Sequence, residues 1–211
     1  MIRFVIFINA LFWTGNSIGQ INNLARSPHQ PSSNEIEDIS TNCTRRTNKS
    51  FSERLKNYPF NLTTEVRLVS FRENIDTING EIEYGRDSLP RMNDTICYSR
   101  LYEIKKLTFA EVDMLTDIFY NYGIPYHRPN GKFHIGTVNQ CYNPRNAILF
   151  FDKNGKAFEF IEICFECKQT RESSEKISLG QMCDQKLDMI KDIFKKAGIE
   201  YGITKGLMLS D

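Results

Sequence analysis

The chain has 211 residues, 40% hydrophobic and 25% charged, with 27 Lys+Arg against 26 Asp+Glu and a formal net charge of +1. Such a composition admits one globular domain with a real core. The balanced charge gives no electrostatic case for a nucleic-acid binder or a polybasic membrane anchor.

Residues 1–19 carry a short positive segment at Arg3, then Phe4 to Trp13, apolar except for Asn9 and too short to span a bilayer. Ser17 and Gly19 supply small residues at the −3 and −1 positions of a cleavage site. This predicts a secretory signal peptide, a mature chain from Gln20, and a secreted or periplasmic location. The apolar run precedes no lipid-bearing cysteine, and no later stretch reaches membrane length, so no membrane span is expected after cleavage. Residues 20–50, rich in Asn, Ser, Pro and Thr, read as a flexible polar leader with Cys43 as its tether. A single α+β domain is expected over 51–211.

Within the domain, 64–71 alternates as a strand, Ile82 to Tyr84 reads as a short one, and 96–106 as another. Thr108 and Glu111 form a capping box, followed by Leu115, Ile118, Phe119 and Tyr122 at helical spacing. Gly123 suits the left-handed position after that helix, with Ile124 touching Phe119 in a Schellman ending and Pro125 stopping the helix. Residues 146–164 are two apolar runs around Asn154-Gly155, a hairpin signal that belongs at the centre of a sheet. A second helix is expected over about 179–197, with Leu187, Ile190, Ile193, Phe194 and Ala197 on one face. The predicted architecture is an antiparallel sheet of about four or five strands with both helices packed on one face.

The two helices are related. Residues 111–126 align without gaps to 186–201, with identities at Asp113/Asp188, Met114/Met189, Asp117/Asp192, Ile118/Ile193, Phe119/Phe194, Gly123/Gly198, Ile124/Ile199 and Tyr126/Tyr201. Two readings stand: similar amphipathic helices on one sheet, or internal pseudo-duplication. The aspartates at i, i+4 spacing share a face in each helix and read as a solvated surface, or else as paired acids.

The cysteines carry the functional lead. Cys141 precedes the hairpin, Cys164 and Cys167 follow it, and Cys183 lies near the start of the second helix. Three readings compete for this cluster. Structural disulfides among Cys141, Cys164, Cys167 and Cys183, with Cys43–Cys97 as a further one, suit an oxidising compartment. A tetrathiolate zinc site would use the same four cysteines, with His127 or His134 able to replace one ligand. Redox chemistry at Cys164-Phe-Glu-Cys167 would need an activated thiolate at a helix N-terminus, and 168–176 has no helical face. A hydrolase using Cys141 with His134 as base is a further alternative without a spacing signature. Arg145 reads as a partner for Glu162 or Glu166, or as an anion contact. Asn42, Asn48, Asn61 and Asn93 begin N-x-[ST] sequons, acceptors only in a eukaryotic secretory pathway. Walker A, G-x-G-x-x-G, H-E-x-x-H, EF-hand and G-x-S-x-G patterns are absent from the sequence.

The stretch CYNPRNAILFFDKNGKAFEFIEICFEC, continued by LGQMCDQKLDMIKDIFKKAGIEYG, resembles a group of small exported bacterial proteins of unassigned activity. The markers are C-Y-x-P-R, then I-C-x-x-C, then a later Cys before G-I-x-Y. The resemblance implies an exported domain with Cys141, Cys164, Cys167 and Cys183 clustered, and no catalytic role. The sequence therefore reads as an exported soluble protein, non-enzymatic and disulfide-stabilised, binding an unidentified protein or small ligand without a cofactor. The alternative is a thiolate metal-binding or thiol-redox protein centred on Cys164 and Cys167.

Overall fold

The apolar runs around Asn154-Gly155 form the middle of the structure, a computed structural model describing residues 42–72, 75–78, 81–84, 89–92, 95–125, 142–183 and 185–207. All of these fall in the larger of the chain's two units, residues 31–211. The signal segment, leader residues 20–41, His127, His134, Cys141 and the Asn93 sequon lie outside the described residues.

In chain order the elements are β1 (Thr44–Arg45), α1 (Phe51–Arg54), β2 (Glu65–Phe71), β3 (Ile75–Ile78), β4 (Glu81–Tyr84), β5 (Arg91–Met92) and β6 (Thr95–Ile96). Then come β7 (Leu101–Lys106), α2 (Phe109–Asn121), β8 (Tyr122–Gly123), β9 (Asn146–Phe151), β10 (Ala157–Cys164), β11 (Gln169–Glu172) and α3 (Gln185–Lys196). Five strands make an antiparallel sheet in the order β11-β10-β9-β2-β7. The fold is α+β. The two-stranded pairs β3–β4, β5–β6 and β1–β8 complete the strand pairing.

The position of the hairpin explains its composition. β9 is central and every one of its residues is buried. Ile148 and Phe150, with Val66, Leu68, Ile161 and Ile163, face a cluster completed by Leu115, Ile118 and Phe119 of α2 and Leu187, Ile190, Ile193 and Phe194 of α3. Ala147, Leu149 and Phe151 face a second cluster with Val69, Phe71, Phe160, Leu89 and Ile96. A strand covered on both faces has no solvent side for polar residues, so alternation disappears. The turn itself is longer than the two-residue form that Asn-Gly favours. Asp152 accepts from the backbone N–H of Asn154 (2.8 Å) and Lys156 (3.0 Å), and only Gly155 takes positive φ, at 73°.

The Thr108–Glu111 capping box is present: the Glu111 carboxylate accepts from Thr108 N–H at 2.7 Å, and Thr108 Oγ1 from Glu111 N–H at 3.3 Å. The end of α2 differs from expectation. Gly123 lies in β8 and pairs with Thr44, without positive φ. The Schellman ending occurs at α3 alone: Gly198 has φ 81°, Ile199 N–H donates to Phe194 O at 3.0 Å, and Gly198 N–H donates to Lys195 O at 3.1 Å. α3 also starts later than its apolar pattern suggests, because Ile177 and Leu179 reach the core from the loop before it.

Residues 42–50, polar in composition, are held against this domain. β1 pairs with β8, and Ser50 caps α1 through its own capping box with Glu53. Arg54 is buried; its Nη1 donates to Asp113 O at 2.8 Å and lies 3.4 Å from Asp117 Oδ1. Such tethers are side-chain and backbone polar contacts, which leave no hydrophobic periodicity to read.

Candidate functional site

The site grows from an unmet need at the end of α2. The last carbonyls of a helix have no intrahelical donor, and here no local turn supplies one. Residues far away in sequence do. Arg46 N–H donates to Asn121 O at 2.6 Å, Thr47 Oγ1 to Tyr120 O at 3.0 Å, and Lys186 Nζ to Phe119 O at 3.0 Å. The Asn121 side chain completes the joint, accepting from Lys49 N–H (2.9 Å) and donating to Lys49 O (3.0 Å).

This arrangement is locked covalently. Cys43 is disulfide-bonded to Cys183, with Cα atoms 5.4 Å apart and a sequence separation of 140. Cys43 N–H also donates to Gln185 Oε1 at 3.3 Å. The expected Cys43–Cys97 pair is therefore corrected. The β1–β8 pairing carries Cys43 to the start of α3, while Cys97 is a free, half-buried thiol beside Ser99 Oγ at 3.4 Å. On the helix surface, Arg54 of α1 holds Asp113, and Arg45 makes a two-pronged pair with Asp117 (3.0 and 2.6 Å). Burial opposes ionisation of Asp117, but hydrogen bonds from Arg45 and Asn121 outweigh it and hold its pKa below the usual value. Asp192 on α3 is exposed, and Asp188 lies 3.6 Å from Lys168 Nζ.

Between the segment, the end of α2 and the loop before α3 lies a cleft of about 420 Å³. Arg46, Thr47 and Lys49 line it from the first, Asn57 and Tyr58 from the turn after α1, Phe119, Tyr120 and Tyr122 from the helix end, and Lys176, Ser178, Gly180 and Gln181 from the loop. Among the described residues, three cations and no carboxylate line it. Of the acids close by, Asp117 pairs with Arg45, and Glu159 accepts from Ser173 Oγ and from Tyr58 Oη at the edge of the cleft. Burial, with the hydrogen bond to Glu159, pushes the Tyr58 phenol up to about 12. Burial also raises the Tyr120 phenol.

Beside the cleft is a lysine that the sequence reading passed over. Lys186 has no exposed surface, and Nζ donates to Phe119 O (3.0 Å) and Leu179 O (2.8 Å). Burial lowers its pKa to about 8. Gly180, with φ 72°, packs directly on Phe119 O; a Cβ there would collide with that carbonyl. The clue was available: Lys186 precedes Ile190 by four residues and Ile193 by seven, so it belongs to the apolar face.

The expected cysteine cluster is only partly assembled among the described residues. Cys167 and Cys183 are both disulfide-bonded, whereas Cys164 is a free, buried thiol. Cys164 Sγ accepts from Cys167 N–H at 3.2 Å in the turn between β10 and β11, where Lys168 takes φ 52°. Burial raises the Cys164 pKa despite this hydrogen bond. With Cys167 and Cys183 oxidised, a tetrathiolate site on Cys141, Cys164, Cys167 and Cys183 cannot form in this state. Among the described residues, no group of three or more His, Cys, Asp or Glu side chains is placed to hold a metal ion. Cys183 is bonded to Cys43, not to a cysteine of the turn holding Cys164.

Arg145 pairs with Glu166 at 2.5 Å, one of its two expected partners. Glu162, the other, is fully buried and takes a fork from Arg171 instead (Nε and Nη2, both 2.8 Å), plus Leu89 N–H at 2.7 Å. These contacts satisfy the carboxylate and fasten β11 to the covering segment over the second sheet face. No helix among the described residues is long and apolar enough to cross a membrane. No protein-family model matches this chain, and no curated protein or solved structure does either.

Proposed function

We propose that this is an exported, disulfide-stapled binding protein that engages a small ligand or partner without transforming it. The observation that carries the reading is the Cys43–Cys183 bond, which ties the segment bearing Arg46 and Lys49 to the chain just before α3. A long-range structural disulfide suits an oxidising compartment outside the cytosol. The redox alternative at Cys164 and Cys167 is supported less well. An attacking thiol works through its thiolate, and burial raises the pKa of Cys164.

Peptide mapping of the protein taken from its native compartment, alkylated before unfolding, tests this reading. A linked Cys43–Cys183 peptide and slow labelling of Cys164 near neutral pH are expected. Rapid labelling of Cys164, or labelling of both Cys43 and Cys183, would overturn it.

A further inference from the structure

We infer that the cleft at the end of α2 binds a sugar-sized organic oxyanion, a hydroxyl-rich molecule bearing a phosphate, sulfate or carboxylate. The inference rests on the binding-protein reading above and names the chemistry of its ligand.

The charge argument comes first. Arg46, Lys49 and Lys176 come from two separate segments and line one concavity, without a carboxylate among the described lining residues. Arg46 is fixed in place through Nη1 on Ile124 O. Lys49 and Lys176 are exposed and carry their charge on flexible stems. Lys49 has Glu53 as an electrostatic neighbour, but that carboxylate is held by Ser50 at the start of α1. The end of α2 contributes a partial negative charge of only about half a unit, and its carbonyls are already occupied by Arg46 N–H, Thr47 and Lys186. Three positive side chains converge on this one cleft, in a chain whose overall charge is near zero. Concentrating like charges in one concave site is unfavourable unless an anion enters.

Size and lining set the rest of the ligand. A cavity of about 420 Å³ is within the range of small-molecule sites. Tyr58, Tyr120 and Tyr122 offer ring surface, their hydroxyls being held by Glu159, Tyr58 O and Arg45, and Asn57, Ser178 and Gln181 add neutral hydrogen-bonding groups. Such a lining matches several hydroxyls around one charged group better than a bare inorganic ion or a purely apolar molecule.

Titration calorimetry on the oxidised full chain tests this with glucose 6-phosphate, glucose 6-sulfate, glucuronate and neutral glucose as probes. At least one anionic sugar should bind about tenfold or more tighter than glucose, the scale of one charge-assisted contact, and the preferred probe identifies the charged group. The double variant Lys49→Glu/Lys176→Glu changes two exposed side chains. It should weaken that binding about tenfold or more while the thermal midpoint stays within a few degrees of the parent. No preference for any anionic probe over glucose, or full affinity in the double variant, would overturn the inference. The Cys43–Cys183 peptide is mapped on the same sample. If it is intact, a lack of anion preference overturns this inference alone; if both cysteines are free, the underlying reading fails.

Discussion

The ends of α2 and α3 share Ile, Phe, Gly and Ile at equivalent positions yet finish in different ways. At α3, Gly198 turns left-handed and the chain folds back to satisfy its own carbonyls. At α2, Gly123 continues as a strand, and the carbonyls of Phe119, Tyr120 and Asn121 wait for Lys186, Thr47 and Arg46. The first ending is local and complete in itself. The second depends on tertiary partners, and that dependence creates the cleft. A capping motif is a local preference worth about a kilocalorie, so a strand pairing, a disulfide and three long-range donors can displace it.

The largest test of this contrast removes the staple. Cys43→Ser/Cys183→Ser should cost about 2–5 kcal/mol of stability in chemical denaturation. Hydrogen exchange should then quicken at Arg46, Thr47 and Lys49 and stay slow at Gly198 and Ile199. Equal loss of protection at both helix ends would break the comparison.

Next in size is Lys186→Met, which keeps the length of the stem and removes the donor to two buried carbonyls. It should cost about 2–4 kcal/mol, since each orphaned carbonyl carries its own desolvation penalty. The parent protein should also gain stability as pH rises. With the folded pKa of Lys186 near 8 and an ordinary value of 10.5 when unfolded, the unfolded chain holds the proton more tightly between those values. Stability from this group therefore rises from about pH 8 to 10.5, and denaturant midpoints across that window should show a rise that Lys186→Met lacks.

The smallest effects separate the two glycines. Gly198→Ala should cost about 1–2 kcal/mol through its left-handed backbone, and no neighbouring substitution should rescue it. Gly123→Ala should cost a comparable amount for a different reason: its Cβ would lie 2.8 Å from Gln181 Cβ. Adding Gln181→Gly should recover most of that loss. Rescue in both cases, or in neither, would collapse the distinction.

The sheet and helices were legible because burial leaves periodicity. The apolar runs of β9 and β10 announced a strand pair covered on both faces, and Thr108 with Glu111 announced the start of α2. The cleft was not legible, because its parts are polar and scattered: Arg46 and Lys49 from a segment composed like a leader, Lys176 and Ser178 from a loop without pattern. Gly123 read as a helix terminator because Gly-Ile-Pro satisfies every local rule, and nothing nearby in sequence betrays Thr44 as its partner. The cysteines announced an oxidised framework, but pairing depends on where the chain returns, and the return of residues 42–49 to α3 is set by those polar contacts.

The bond between Cys43 and Cys183 joins the first cysteine of the chain to the last. As the polypeptide emerges from its N-terminus, Cys43 appears before any partner and must wait while Cys97, Cys141, Cys164 and Cys167 pass. Pairing in order of appearance would bury it in a wrong bond. The native ring can close only after Cys183 has emerged, so the segment before α1 is fastened in place after every strand of the sheet has been made.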